Sequence, residues 1–175
     1  LEVLRKYGVT VIETVKHKRY LIPGNQTFRK THATVEGDWS QAAFFMTAGV
    51  FGHKITIQGL DISSMQGDKM MLSFLRAMGG KIKYQNNEMV ICRSALHGID
   101  ADISQCPDIA PTLVLACALA KGKSKITGGK RLRTKESDRI ASIGKTLNAL
   151  GAKVEITADG FNVEGSDLLQ GGNVS

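Results

Sequence analysis

The chain repeats itself, and the repeat limits the folds open to it. An aspartate precedes a run of helical periodicity at Asp38 and again at Asp108, and a glycine ends it at Gly52 and at Gly122. A further aspartate precedes a second helical run at Asp68 and at Asp138, and each of these pairs is seventy residues apart. After the second run the offset grows to seventy-two, from Gly79 to Gly151. A spacing held over several landmarks marks two copies of one supersecondary unit, which bury their apolar faces on each other.

Periodicity fills in each copy. In the first, a helix is predicted over Ser40 to Phe51, a strand over Lys54 to Ile57, a polar loop from Ser63 to Asp68 and a helix over Lys69 to Met78. Strands at Lys81–Tyr84 and Glu88–Ile91 then flank Asn86-Asn87, a hairpin signal. In the second copy the same order gives a helix over Ile109 to Ala120, a strand over Lys125 to Thr127, a polar loop from Arg131 and a helix over Ile140 to Leu150. Strands at Lys153–Ile156 and Phe161–Val163 flank Asp159-Gly160. Ahead of the repeat, a short helix (Leu1 to Tyr7) precedes strands at Val9–Val15, Arg19–Ile22 and Lys30–Val35, the back end of another unit. The expected fold class is α/β (α+β), with repeated βαβαββ units, helices inside and sheets outside. The expected boundaries are 1–37 for the tail of a preceding unit, 38–103 for the first repeat and 104–175 for the second. Leu1 opens in mid-helix without an initiator Met, so the sequence is expected to be part of a longer chain.

A net charge of +7 suits either a nucleic-acid binder or an enzyme for anionic substrates. Aromatics make up only 6%, and the densest basic run, Lys16 to Tyr20, alternates like a strand. Both favour the enzyme. Three cysteines, Cys92, Cys106 and Cys117, lack zinc spacing, and Cys117 falls within an apolar helix. They fit a reducing cytosol. His17, His32, His53 and His97 show no metal spacing either. No stretch of eighteen apolar residues and no leader-like segment appears.

The second polar loop carries the chemistry-bearing residues: Leu132-Arg133-Thr134-Lys135-Glu136-Ser137-Asp138-Arg139. Thr134 reads as an N-cap, with Lys135 to Arg139 as the first turn and a half of the helix. Lys135 and Glu136 would then neighbour Arg139 as i,i+4 and i,i+3 pairs. A helix start with two cations and a carboxylate could hold an anion and move a proton. It could equally be a solvated helix start with one intrahelical ion pair. The first copy, Ser64-Met65-Gln66-Gly67-Asp68, has no Lys-Glu and no Arg, so the fold alone does not demand these charges.

The octet resembles the Leu-Arg-x-Lys-Glu-Ser-Asp-Arg signature of the 5-enolpyruvylshikimate-3-phosphate synthases. Val35-Glu36-Gly37-Asp38-Trp39-Ser40-Gln41-Ala42-Ala43, Met65-Gln66-Gly67-Asp68 and Pro107-Asp108-Ile109-Ala110-Pro111-Thr112-Leu113 are similar to three further segments of that family, in the same order. The resemblance implies an inside-out α/β fold: two domains of pseudo-threefold βαβαββ units, with parallel helices buried and their N-termini facing an interdomain cleft. It implies transfer of the enolpyruvyl group of phosphoenolpyruvate to the 5-hydroxyl of shikimate 3-phosphate, in aromatic amino-acid biosynthesis, with no cofactor and no metal. It assigns Asp108 to the hydroxyl proton and to shikimate 3-phosphate, Glu136 to acid/base work at the methylene carbon, Lys135 to shikimate 3-phosphate and Arg139 to the carboxylate of phosphoenolpyruvate. Without the resemblance, Asp108 is better read as an N-cap, like Asp38. Arg131 stands where some members have an asparagine that touches the phosphorylated substrate.

The family's N-terminal Lys-Ser and Arg, its Ser-Ser-Gln cradle, its Asp-His-Arg motif and its late lysine are not found in these residues. The expected partners are the two small substrates and an N-terminal domain of the same enzyme, with no nucleic acid and no membrane. The expected state is a cytoplasmic monomer, and the isolated chain is expected to be inactive. Two other functions are weighed: the sister transferase acting on UDP-N-acetylglucosamine, which lacks the Lys-Glu-Ser-Asp-Arg segment, and a non-catalytic RNA-binding module of similar build.

Overall fold

A computed structural model of the chain describes residues 1–166 and 168–174. The chain divides into two compact units, Leu1–Val35 and Glu36–Ser175.

In the smaller unit, helix α1 (Glu2–Lys6) is followed by strands β1 (Ile12–Val15) and β2 (Arg19–Leu21), an antiparallel pair. The Gln26 side chain accepts the Thr10 N–H and donates to the Thr10 carbonyl. The strand expected over Lys30–Val35 does not form. Alternation makes a segment fit for a sheet, but a strand exists only where a neighbour completes its ladder. The two-stranded sheet of this unit offers it none.

The larger unit holds both repeats. The first contains α2 (Trp39–Phe51), β3 (Ile55–Gln58), a 3-10 turn (Gly67–Lys69), α3 (Met70–Ala77), β4 (Lys81–Gln85) and β5 (Glu88–Cys92). Strand β6 (Asp100–Asp102) follows, joining the sheet of the second, which contains a 3-10 turn (Pro107–Ile109), α4 (Ala110–Ala118), β7 (Lys123–Thr127), a 3-10 turn (Lys130–Thr134), α5 (Arg139–Ala149), β8 (Lys153–Ile156) and β9 (Phe161–Glu164). The sheets run β3-β5-β4 and β6-β7-β9-β8, antiparallel except for the β6–β7 pair. Parallel pairing needs a crossover, and α4 provides it. At the first hairpin both Asn86 and Asn87 have positive φ, 53° and 61°, as a two-residue primed turn requires. Asparagine is the side chain that tolerates this best after glycine.

Helix α4 is apolar on nearly every side, which suits a helix enclosed by others. It packs on α2, α3 and α5. Its Leu113, Val114, Ala116 and Cys117 are fully buried, as are Trp39, Met46, Met71, Leu75 and Phe161 around it. Removing one leucine-sized side chain from water contributes about 1.5–3 kcal/mol. The helix N-termini come from loops beside this core, so polar groups at the start of α4 and of α5 are held against one rigid body.

The start of α5 corrects the sequence reading. Thr134 does not cap it. Thr134 closes the preceding 3-10 turn, its hydroxyl donating to the Arg131 carbonyl at 3.1 Å. Lys135 is extended (φ −74°, ψ −168°), and the helix begins only at Arg139, with Asp138 as N-cap accepting the Ala141 N–H at 3.0 Å. A carboxylate caps better than a threonine hydroxyl and also takes a hydrogen bond from Arg133 NH1 at 2.7 Å. Lys135, Glu136 and Ser137 therefore form a short non-helical lip before the helix.

Candidate active site

Asp108 stands in the 3-10 turn Pro107–Ile109 that leads into α4. Pro107 and Pro111 occupy first-turn positions, where a missing N–H breaks no helical bond. Asp108 does not cap α4, contrary to the bare-sequence reading; no side chain caps that turn. Its Oδ1 instead meets Lys135 Nζ at 3.2 Å and Arg139 NH1 at 3.3 Å. The partners come from 27 and 31 residues further along the chain.

Arg139 is shared. Its NH2 donates to Glu136 Oε2 at 2.9 Å while NH1 serves Asp108. The expected Glu136–Arg139 contact is thus made, although the two are not neighbours on a helix. Lys135 and Arg139 meet through the Asp108 carboxylate. The four residues singled out from the sequence, Asp108, Lys135, Glu136 and Arg139, form one contiguous polar cluster.

The cluster is open to water: the Glu136 side chain is 81% exposed and that of Asp108 44%. Glu136 is held below the usual carboxylate range, first by its own backbone N–H, then by the Arg139 hydrogen bond and charge. Two cations held by two carboxylates can exchange those partners for a ligand's carboxylate or phosphate. A carboxylate freed in this way can accept a proton from a ligand hydroxyl.

Arg133, beside the motif, does not face the cluster. Its guanidinium donates to the carbonyls of Thr157 (2.6 Å) and Ala158 (3.0 Å) as well as to Asp138, and so anchors the loop to the sheet. The Arg131 neighbourhood is a separate depression lined by Ser104, Gln105, Lys130, Arg131 and Thr134. Sequence reasoning missed the part played by Gln66, whose side-chain amide bonds the backbone at the start of α2. Only the unexplained amide in an otherwise ordinary turn sequence could have signalled it.

The sequence matches the family described as EPSP synthase (3-phosphoshikimate 1-carboxyvinyltransferase) over residues 1–175. It is 44% identical over 174 residues to the 3-phosphoshikimate 1-carboxyvinyltransferase of Clostridium acetobutylicum, covering 99% of this chain and 40% of the relative. To that of Clostridium perfringens it is 43% identical over 175 residues, with 99% and 41% covered. The chain thus spans about 40% of the length of the curated relatives it matches. Among solved structures, the EPSP synthase of Acinetobacter baumannii superposes with a TM-score of 0.78 at 27% identity, over 95% of this chain and 40% of that one. The enolpyruvyl transferase NikO from Streptomyces tendae shares the fold, with a TM-score of 0.65 at 18% identity over 94% of this chain and 39% of that one. With a family match along its whole length and the family's charged motif gathered at one place in the fold, this chain belongs to the EPSP synthase family.

Proposed function

We propose that this chain is the part of an enolpyruvyl transferase that carries one half of its active site. On this reading residues 1–37 end a preceding unit, 38–103 form one repeat and 104–175 the next, with Asp167 and Ser175 outside the described residues. The reaction moves the enolpyruvyl group of phosphoenolpyruvate to the 5-hydroxyl of shikimate 3-phosphate, in the cytoplasm. The observation that carries the reading is the shared Asp108 carboxylate, held by Lys135 and Arg139, with Glu136 on the other side of Arg139.

The steps assign each group a task. Lys135 binds shikimate 3-phosphate, and Asp108 accepts the proton of its 5-hydroxyl as the oxygen adds to the enol carbon. Arg139 turns to the phosphoenolpyruvate carboxylate, for which its planar fork is well matched. Glu136 supplies a proton to the methylene carbon. The tetrahedral intermediate then expels phosphate with the electron pair of its C–O bond, the departing phosphate takes up the proton that Asp108 accepted, and a methyl proton returns to Glu136. Glu136 rests as a carboxylate, held so first by its own backbone N–H and then by Arg139. A ligand carboxylate that takes over that guanidinium lifts Glu136 toward its ordinary value, so that it takes up from solvent the proton that it then gives to the methylene carbon. The open cluster needs a second wall to exclude water. The N-terminal domain of the same polypeptide supplies that wall, and the enzyme works as a monomer.

The test uses a full-length synthase carrying this segment. Glu136→Gln lowers kcat by about 10²–10⁴-fold, while the 175-residue chain alone gives no product. Full activity of the Glu136→Gln enzyme, or product from the purified chain alone, would overturn the assignment.

A further inference from the structure

The Gln66 side chain makes a two-point clamp. Its Oε1 accepts the Trp39 N–H at 3.0 Å, and its Nε2 donates to the Gly37 carbonyl at 3.0 Å. These two bonds straddle Asp38 and fix the start of α2. The loop that carries Gln66 is itself tied down. Ser63 N–H and hydroxyl both bond Asp61 Oδ1, Gln66 N–H bonds the Ser64 hydroxyl, and Lys69 Nζ bonds the carbonyls of Ile62 and Ser64. The indole N–H of Trp39 closes the ring by donating to the Asp61 carbonyl.

The next residue, Gly67, presses this locked loop against the second repeat. A Cβ on Gly67 would sit 2.1 Å from the Gln105 carbonyl oxygen and 3.9 Å from Cys106 Cα. Gln105 and Cys106 immediately precede Pro107 and Asp108. The backbone leading into the candidate base thus rests on a wall whose position is set by the Gln66 amide. The Asp108 contacts, at 3.2 and 3.3 Å, lie at the long end of hydrogen-bond range, where a shift of a few tenths of an ångström breaks them.

We propose that Gln66 is a positioning residue for the reaction: through Gly67 and the Gln105–Cys106 backbone it holds Asp108 at its working distance from Lys135 and Arg139. The inference rests on the enolpyruvyl-transfer reading for its kinetic consequence, though not for its structural content.

The first arm needs no activity. Gln66→Glu places a carboxyl in the clamp. Protonated, it offers one donor and one acceptor as the amide does; ionised, it has no donor for the Gly37 carbonyl and opposes it with charge. Amide and carboxyl NMR of the variant chain should show Trp39 and residues Gln105 to Asp108 shifting together at a single pH midpoint that the unsubstituted chain lacks. Movement of Trp39 without movement at Gln105 to Asp108, or no movement at either, overturns the proposal.

The second arm uses the full-length synthase. Gln66→Leu should lower kcat by about 10–100-fold with KM for both substrates nearly unchanged. Gln66→Glu should recover activity, relative to the unsubstituted enzyme, as pH falls from 7.5 to 5. An unchanged kcat in Gln66→Leu, or a deficit in Gln66→Glu that does not vary with pH, overturns the proposal. A fully active Glu136→Gln enzyme would instead discard the reading of the site, leaving the first arm to decide whether Gln66 positions Asp108.

Discussion

Asp38 and Asp108 occupy the same position in the two repeats and bond to different things. Asp38 Oδ1 accepts the N–H groups of Ser40 (2.8 Å) and Gln41 (3.4 Å) and the Ser40 hydroxyl (2.7 Å), a helix cap satisfied within its own turn. Asp108 Oδ1 reaches out of its turn to two cations from another loop. Ser40, two residues after Asp38, has Ala110 as its counterpart, so the second repeat lacks the hydroxyl that holds the first carboxylate in place.

These different jobs separate in mutants. Asp38→Ala should lower Tm by about 2–4 °C, whereas Asp38→Asn, still a good cap, should change it little. Asp108→Ala should leave Tm within about 1–2 °C of the unsubstituted chain, since exposed ion pairs add little stability. In a full-length synthase, the same change should cost turnover. Thermal melts of the three variants give the comparison.

Asp138 makes the fold acid-sensitive. Its carboxyl is held below the ordinary value, chiefly by the Ala141 N–H and next by the Arg133 bond. A carboxyl depressed by folding contributes stability that is full above its unfolded value, about 3.9. That contribution is lost as pH falls through the depressed folded value. Urea midpoints between pH 2 and 5 should therefore fall less steeply for Asp138→Asn than for the unsubstituted chain.

Asp68 has the opposite sign. Burial, and then the charges of Asp108 and Asp38, raise its carboxyl above the ordinary value, partly offset by Lys135. Its repeat mate Asp138 caps a helix, whereas the first turn of α3 has no side-chain cap. A raised carboxyl costs stability once ionised, so its contribution worsens as pH rises from the unfolded value through the raised one. Asp68→Asn should raise Tm at pH 7 by up to about 2 °C, with the gain vanishing at low pH. Equal melts at pH 7 would refute this.

The thiols should sort themselves. Burial pushes Cys106 and Cys117 up to about 11, while Cys92 is partly exposed. At pH 8 only about one in a thousand of each raised thiol is ionised. A disulfide reagent should titrate one thiol quickly in the native chain, and the other two only as guanidinium unfolds it.

Much of the second unit was legible because its signals are local. The hairpins announced themselves through alternation and through Asn86-Asn87 and Asp159-Gly160, and the helices through their apolar periodicity and closing glycines, with Asp38 as a cap for α2. The illegible parts depend on partners elsewhere. Thr134 and Asp138 are both good caps four residues apart, and what favours Asp138 is Arg133, itself held by carbonyls of Thr157 and Ala158. Strand β6, Asp-Ala-Asp, has a sequence that strands avoid, and it forms because β7 is there to pair with it. Lys30–Val35 has the reverse history, a good pattern without a neighbour. The cluster's members were legible through the family motif. That Asp108 abandons its capping role was not, because its partners are 27 and 31 residues away.

The parallel β6–β7 pair has a consequence for the order of folding. The two hairpins, β4–β5 and β8–β9, join strands separated by a short turn and can close within microseconds. The β6–β7 ladder pairs Asp100 with Lys125 and must wait for the whole α4 crossover, a loop with a larger entropic cost. Asp108 lies on that crossover and Lys135 beyond β7, so their contact depends on a closure that the hairpins do not need. Pulse-labelled hydrogen exchange should find the hairpin amides protected before those of β6 and the Pro107–Ile109 turn. A nascent chain would then acquire its rigidity before it acquires its chemistry.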